Sequence, residues 1–324
     1  MNTFRTVVNP ETSGSLITLK HRVLTLGSCF SDAIGRRLSE VKIDTKVNPM
    51  GVIYNPISLH KAVQYCLMKK TLTQATFIQN QDIHLNYDFH SSFSSLSQND
   101  LQKEIQYVLD STHEFLKTAD WIILTYGTAW VYEHNGQIVA NCHKMPGNLF
   151  TKKLLNLDAI TTSFESLYVM LKEFNPDLKI ILTVSPVRHI KDSLPLNTVS
   201  KSLLRLACHQ CAERFKDVEY FPSYEIMMDD LRDYRFYKPD MIHPTEQAED
   251  YIWEKFIESN LTIEAKKFVF QWKSIQTALQ HKPFHVQSRG HQNFLKQTIH
   301  KLEQLSDIVN VDEEIAALKA QLFA

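Results

Sequence analysis

The sequence has no surplus of charge. Its 324 residues carry 35 lysines and arginines against 36 aspartates and glutamates. That balance excludes broad electrostatic capture of nucleic acid or of an anionic membrane, which needs many phosphates neutralised at once. Long apolar runs are missing as well. The longest, such as residues 121–126, have the length of a strand and fall far short of a bilayer span. The stretch from Met1 to Leu19 is polar and mixed, with Pro10, Glu11 and Ser13, and no basic segment leads into an apolar one. It does not read as a secretory signal, so with Met1 as the start the expected location is the cytoplasm. Paired cysteines are lacking too. Cys29, Cys66, Cys142, Cys208 and Cys211 are odd in number and scattered, which predicts free thiols. Cys208-His209-Gln210-Cys211 has the spacing of half a metal site, but no second pair completes four ligands. With Leu203, Leu204 and Ala207 these two cysteines instead mark the buried face of a helix. No metal and no cofactor is expected. Internal repeats and low-complexity segments are also missing.

What is present is a chain that can build a core. Apolar residues make up 44% of it, and the length suits one large domain, or one domain with a smaller appendage. Residues 23–26 form a short apolar run ending at Gly27, which predicts a buried strand. Ile34, Leu38 and Val41 then share a helical face. Asn55-Pro56 predicts a helix start, with Asn as cap and Pro in the first turn, running to about Lys69. Residues 71–98 lack a clean period and read as short strands or an excursion. Asn99-Asp100 is expected to cap a helix reaching about Leu116. Residues 121–126 predict a second strand ending at Gly127, and residues 179–184 a third ending at Ser185-Pro186. Between them, Asn135-Gly136 predicts a hairpin joining residues 130–133 to 137–140. A polar loop over residues 141–148 leads to a helix at 157–173. A helix over about 200–215, a strand at 218–221 and a helix at 245–256 complete the pattern.

Strands alternating with helices of this length predict a doubly wound three-layer α/β/α domain, built on a mostly parallel sheet of about five strands. It is expected over residues 1–259. Residues 260–324 read as a helical C-terminal extension. Its helices fall near 263–279, 293–305 and 312–322, interrupted over 283–290. That tail is expected either to pack back on the domain or to join two copies in a homo-oligomer. Reactive groups in such sheets collect at the carboxyl ends of the strands. The rule directs attention to residues 27–30, 127–130 and 185–189, and to the loop before the helix at 245.

Lys238-Pro239-Asp240-Met241-Ile242-His243-Pro244-Thr245 is the strongest local signal. An Asp three residues before a His can turn back onto the imidazole, fix its tautomer and stabilise the imidazolium. Thr245 can cap the following helix. Gly27-Ser28-Cys29-Phe30-Ser31 is the second signal, at a sharp turn from strand to helix. A thiol held at a helix N-terminus is expected to have a lowered pKa, and the same amides can hold an oxyanion. Equally, Ser28 or Ser31 can simply cap the helix with Cys29 as a small filler. His143, Lys144, Arg188 and His189 stand in strand-end loops and can bind a carboxylate, a phosphate or sugar hydroxyls. Asp88 with His90 is a further pair, read as structural.

Gly27-Ser28-Cys29-Phe30-Ser31 together with the D-x-x-H of Asp240 and His243 resembles the SGNH or GDSL hydrolase superfamily, and more closely the GSCFA family within it. Asn48-Pro49-Met50-Gly51-Val52-Ile53-Tyr54-Asn55-Pro56, Tyr126-Gly127-Thr128-Ala129-Trp130, Asn141-Cys142-His143-Lys144 and Ser185-Pro186-Val187-Arg188 look like that family too. The resemblance spans about Val23 to Phe256. It implies an SGNH-like fold and a hydrolase of a small ester or an acylated carbohydrate. In the register it implies, Cys29 takes the nucleophile's place and Ser28 is the second choice, with Asp240 and His243 as the acid–base pair. Gly51 stands for the superfamily's oxyanion glycine. The superfamily's G-x-N-D falls on Gly127-Thr128-Ala129-Trp130, where Ala129 stands in the Asn place, and Asn55 or Asn141 is the expected substitute. This departure keeps a second reading open: a non-catalytic binding or assembly protein on the same scaffold.

Overall fold

The computed structural model describes residues 5–69 and 72–323. Met1 and Thr71, at which two of the readings above begin, lie outside them. The chain runs β1 (Arg22–Gly27), α1 (Cys29–Glu40), β2 (Asp44–Val47), α2 (Pro56–Met68), β3 (Phe77–Asn80), β4 (Ile83–Asn86), α3 (Gln98–Leu116), β5 (Trp121–Tyr126), β6 (Trp130–His134), β7 (Gln137–Val139), β8 (Thr151–Leu154), α4 (Leu157–Phe174), β9 (Lys179–Val184), α5 (Leu194–Arg214), β10 (Val218–Phe221), α6 (Ser223–Glu225) and α7 (Glu246–Asn260). Three helices follow: α8 (Ile263–Leu279), α9 (Arg289–Glu303) and α10 (Asp312–Lys319).

Five strands form one parallel sheet in the order β10-β9-β5-β1-β2. The inner strands are apolar on both faces because helices cover both. Leu24, Leu26, Ile122, Leu124, Ile180 and Leu182 point into one core, under α2, α3, α4 and α5. Val23, Trp121, Ile123 and Ile181 point into the other, under α1 and α7. The predicted three-layer α/β/α architecture is therefore the observed one. Excursions leave the strand ends. β3 and β4 form a hairpin within the segment read as an excursion, and β6 is flanked by β7 and β8 in a small antiparallel sheet.

The pattern missed elements that its signals do not cover. β2 pairs only with β1, at the sheet edge, and its sequence Asp-Thr-Lys-Val has no apolar run. β8, Thr-Lys-Lys-Leu, is held by its pairing with β6 while Thr151, Lys152 and Lys153 face solvent. α5 begins at Leu194, not near Ser200: Ser193 caps it and Pro195 sits in its first turn, but Leu194, Leu196 and Val199 are exposed, so no apolar face announces the start. α3 is capped by Ser97 rather than at Asn99-Asp100, and α9 starts at Arg289, capped by Ser288.

The C-terminal helices pack back on the sheet domain. Phe268, Trp272, Ile275, Leu295, Ile299 and Leu302 join the same core as Ile34, Leu38 and Val41 of α1. The Trp272 indole donates to the Glu40 carbonyl at 2.7 Å, and the Gln276 amide donates to the same oxygen at 3.0 Å. The tail thus satisfies a carbonyl that the end of α1 leaves without an intrahelical partner. Upstream of β1, Ile17 bridges to Leu261 at the junction of α7 and α8. Among the described residues no helix is long and apolar enough to cross a membrane.

Docking by one face of α8 has a measurable consequence. Trp272→Ala should lower the unfolding free energy by about 3–5 kcal/mol. Phe270→Ala, on a side chain 82% exposed, should change it by less than about 0.5 kcal/mol. Equal losses in urea titrations would contradict the docking described.

Candidate active site

The strand order reverses beside β1: its neighbours are β2, the next strand in sequence, and β5. Helices α1 and α2 lie on opposite faces there. Ligands in such sheets bind at the switch point, outside the carboxyl ends of the strands. The turn from β1 into α1 stands at those ends.

That turn is fixed by contact with β5. Gly27 has φ of +135°, and a Cβ on it would lie 2.1 Å from the Thr125 carbonyl oxygen. The Gly27 amide donates to Asn48 Oδ1 at 2.8 Å, and Asn48 Nδ2 donates to Asp32 at 2.6 Å. Asn48 therefore ties the end of β1 to the first turn of α1. Ser28 is fully buried and caps α1, its hydroxyl accepting from the Phe30 amide at 3.4 Å. Cys29 is the first helical residue and only partly buried. The two candidate nucleophiles thus differ in access: Ser28 is sealed and Cys29 can be reached.

The thiol corrects one expectation. Burial, and then the Asp32 carboxyl, push the Cys29 thiol up rather than down. These outweigh the helix terminus, whose influence is under one charge and shared over several amides. Cys29 at neutral pH is a thiol that needs a base.

The D-x-x-H segment supplies a candidate base. Asp240 Oδ2 accepts from His243 Nδ1 at 2.7 Å, while Oδ1 accepts the Ile242 and His243 amides at 2.8 and 3.0 Å. The bond from the His243 amide, followed by that from its ring, holds the Asp240 carboxyl well below the usual carboxylate range. With Nδ1–H given to Asp240, His243 presents Nε2 as its basic nitrogen. A second clamp comes from the strand-end loop of β9: the Arg188 amide donates to the Ile242 carbonyl at 3.1 Å and its guanidinium to the Met241 carbonyl at 2.6 Å. Arg188 also stacks over Tyr237, 4.0 Å from the ring centre. Its observed place is as a strut of the loop.

Lys201 is buried near these strand ends, and His189 half-buried. Lys201 of α5 lies on the apolar face of its helix and donates to the Gly127 and Ser185 carbonyls at 2.8 and 2.7 Å. Burial pushes its pKa down to about 7. Sequence reasoning passed over it, although a lysine in phase with Leu204, Cys208 and Cys211 was a visible irregularity. His189 stands beside Gly127, with Tyr54 edge-on to its ring at 5.3 Å. Burial, then the charges of Lys201 and His243, push it down to about 3. Its Nε2 is closed off from solvent and has no hydrogen-bond partner among the described residues.

The remaining candidates are engaged elsewhere. The Gly51 amide donates to the Asn48 carbonyl at 2.8 Å, closing a turn. The Gly127 and Thr128 amides both donate to the Tyr54 carbonyl. Asn55 caps α2, accepting from the Ser58 amide and donating to its hydroxyl. Asn141 accepts from the His143 amide, and His143 Nε2 bonds the Asn86 carbonyl at 2.7 Å, so both pin the excursion of β3 and β4. Lys144 is exposed. Asp88 does not pair with His90: it accepts from Lys61 and Tyr65, while His90 bonds Ser92. Cys208 and Cys211 are buried free thiols of α5, as their helical spacing predicted.

Residues 22–256 match the model of the GSCFA family, and residues 272–323 match that of the GSCFA domain protein, C-terminal domain. Among solved structures, the chain is similar to a carbohydrate esterase family 3 from Talaromyces cellulolyticus, with 9% identity, 78% of this chain and 99% of that chain covered, and a TM-score of 0.35. It is also similar to a Clostridium thermocellum family 3 carbohydrate esterase, with 14% identity, 78% and 98% covered, and a TM-score of 0.33. No curated protein matches the chain.

Two measurements check the electrostatics. Iodoacetamide should alkylate Cys29 slowly at neutral pH, with a rate still rising beyond pH 9; a plateau below pH 8 would contradict the raised thiol. For Lys201, the folded pKa of about 7 lies below the ordinary 10.5. The unfolded chain then binds more protons between those values, so stability must rise with pH across that window. Wild type should gain on Lys201→Met by an amount on the order of 5 kcal/mol between pH 7 and 10.5. A difference that stays flat with pH would show an ordinary lysine.

Proposed function

The chain belongs to the GSCFA family, and we propose that it is a hydrolase of SGNH type acting on a small ester or an acylated carbohydrate through Cys29, His243 and Asp240. One observation carries the reading. Asp240 holds His243 by a 2.7 Å bond to Nδ1 and fixes its own carboxylate with two backbone amides. That is more preorganisation than a surface loop requires. It orients an imidazole whose other nitrogen takes and returns protons.

His243 Nε2 takes the thiol proton as Cys29 Sγ attacks the acyl carbon, and the carbonyl electron pair moves to oxygen. Asp240 stabilises the imidazolium so formed. Collapse of the tetrahedral intermediate breaks the ester bond, and the leaving alkoxide takes the proton from His243. Water then attacks the thioester, delivering a proton to His243, and the acid departs as Cys29 recovers its proton. The Cys29 amide, at the first position of α1, is the backbone donor left for the developing oxyanion. Cys29 is preferred to Ser28 because Ser28 is sealed and spends its hydroxyl on the helix cap.

A binding protein on the same scaffold is the second reading. The amides of Gly51 and Gly127 are committed to backbone partners, and Ala129 is buried where the superfamily has an amide side chain. The two readings part in one assay. With p-nitrophenyl acetate and a panel of acetylated sugars, the hydrolase reading expects turnover by wild type. Cys29→Ala and His243→Ala should each lower kcat/KM by about 10²–10⁴-fold. Ser28→Ala should retain turnover and lose about 1 kcal/mol of stability as a lost cap. Full activity in His243→Ala would sink the mechanism. A dead Ser28→Ala beside an active Cys29→Ala would reverse the choice of nucleophile.

A further inference from the structure

We propose that His189 donates, through Nε2–H, the side-chain hydrogen bond to the oxyanion that Ala129 cannot supply. The assignment rests on the hydrolase reading above and names the group that completes it. Three observations lead to it.

The first is a deficit. An acyl-transfer site needs donors aimed where charge develops on the carbonyl oxygen, and each is worth about 10²–10³ in kcat. Ser28 N–H is spent on Thr125, Gly51 N–H on Asn48, and Gly127 N–H on Tyr54. Asn55 gives its amide to the Ser58 hydroxyl, and Asn141 is tied by its backbone to Tyr87 and by its side-chain oxygen to His143. The start of α1 remains, without a side-chain donor.

The second is an unspent polar atom at the right strand end. His189 Nε2 lies 3.1 Å from where a Cβ on Gly127 would stand, and Ser28 Cβ lies 3.3 Å from the same point. Gly127 lacks a side chain at the one place where the imidazole and the nucleophile turn approach each other. A buried nitrogen without a partner costs about 1–3 kcal/mol, and such an atom in a folded protein calls for a reason. The ring is also held in place: the His189 amide donates to Asn197 Oδ1 at 2.8 Å, and Tyr54 packs against the imidazole.

The third is charge state. Burial beside Lys201 and His243 keeps His189 neutral across the working range. A neutral imidazole is a poor base but a sound donor, and it does not compete with His243 for the nucleophile's proton. The two histidines are thereby given different tasks. Tyr54 is 36% exposed, and its ring also senses Cys29.

The test has two arms. In wild type at pH 7, long-range proton–nitrogen correlation spectra of the imidazoles, assigned with His189→Gln, should show His189 protonated at Nε2 and bare at Nδ1. The opposite tautomer, or an imidazolium, would overturn the assignment without reference to turnover. In the second arm, p-nitrophenyl acetate hydrolysis by His189→Ala should lose about 10²–10³-fold in kcat with KM unchanged. His189→Gln, which keeps an N–H donor, should recover part of that loss. Unaltered kcat in both variants, with wild type active and His243→Ala inactive, would sink the assignment alone. A wild type that turns over no ester would sink the hydrolase reading, and this assignment with it.

Discussion

β1 and β5 pass so closely at their carboxyl ends that only a residue without a side chain fits at Gly27, where a Cβ would sit 2.1 Å from the Thr125 carbonyl. Much else follows from that approach. The φ of +135° turns the chain out of the sheet and straight into α1. Ser28 is left buried as the cap and Cys29 stands at the rim. Asn48 then locks the turn by bonding both Gly27 and Asp32. This end of the molecule is a corner where a parallel sheet reverses its strand order, and the corner is held by backbone contact and by the Asn48 side chain.

Electrostatics at this corner are set by burial more than by pairing. Lys201 crosses beneath it to bond the Gly127 and Ser185 carbonyls, and so joins the ends of β5 and β9. The same seclusion lowers Lys201 and His189 and raises Cys29. All three are biased toward neutrality, since a low-dielectric site penalises whichever form carries charge. Asp240 is the exception, because it is exposed and its carboxylate is bound by three donors. The Asp240 carboxylate is therefore firmly ionised, and it is about as exposed as the imidazole it orients.

The legible part of the fold was its repeating part. The strands Trp121–Tyr126 and Lys179–Val184 were readable to the residue, because a strand buried on both faces is almost wholly apolar; Val218–Phe221, at the other sheet edge, was readable from its β-branched and aromatic residues. Helix α2 was readable from its cap, Asn55-Pro56. β2 and β8 were not readable, since an edge strand is held by backbone bonds to its neighbour and its side chains are free to be polar. Of the site, the Asp240–His243 pair and the nucleophile turn were visible as spacing, because their contacts lie within a few residues. His189 was visible only as a polar residue after a strand. Lys201 was not singled out, for its partners lie on two other strands, 74 and 16 residues away.

The sequence by itself determined the layered α/β/α class, the family resemblance and the local geometry of Asp240 on His243, because periodicity, motif and a three-residue loop are all short-range. Only the tertiary structure decided that Ser28 is sealed while Cys29 is partly exposed, that the thiol is raised, and that the amides of Gly51 and Gly127 are spent. It also decided that the C-terminal helices cover α1. Burial and hydrogen-bond partnership depend on which distant segments arrive at a given point, and no residue carries that information in its own neighbourhood.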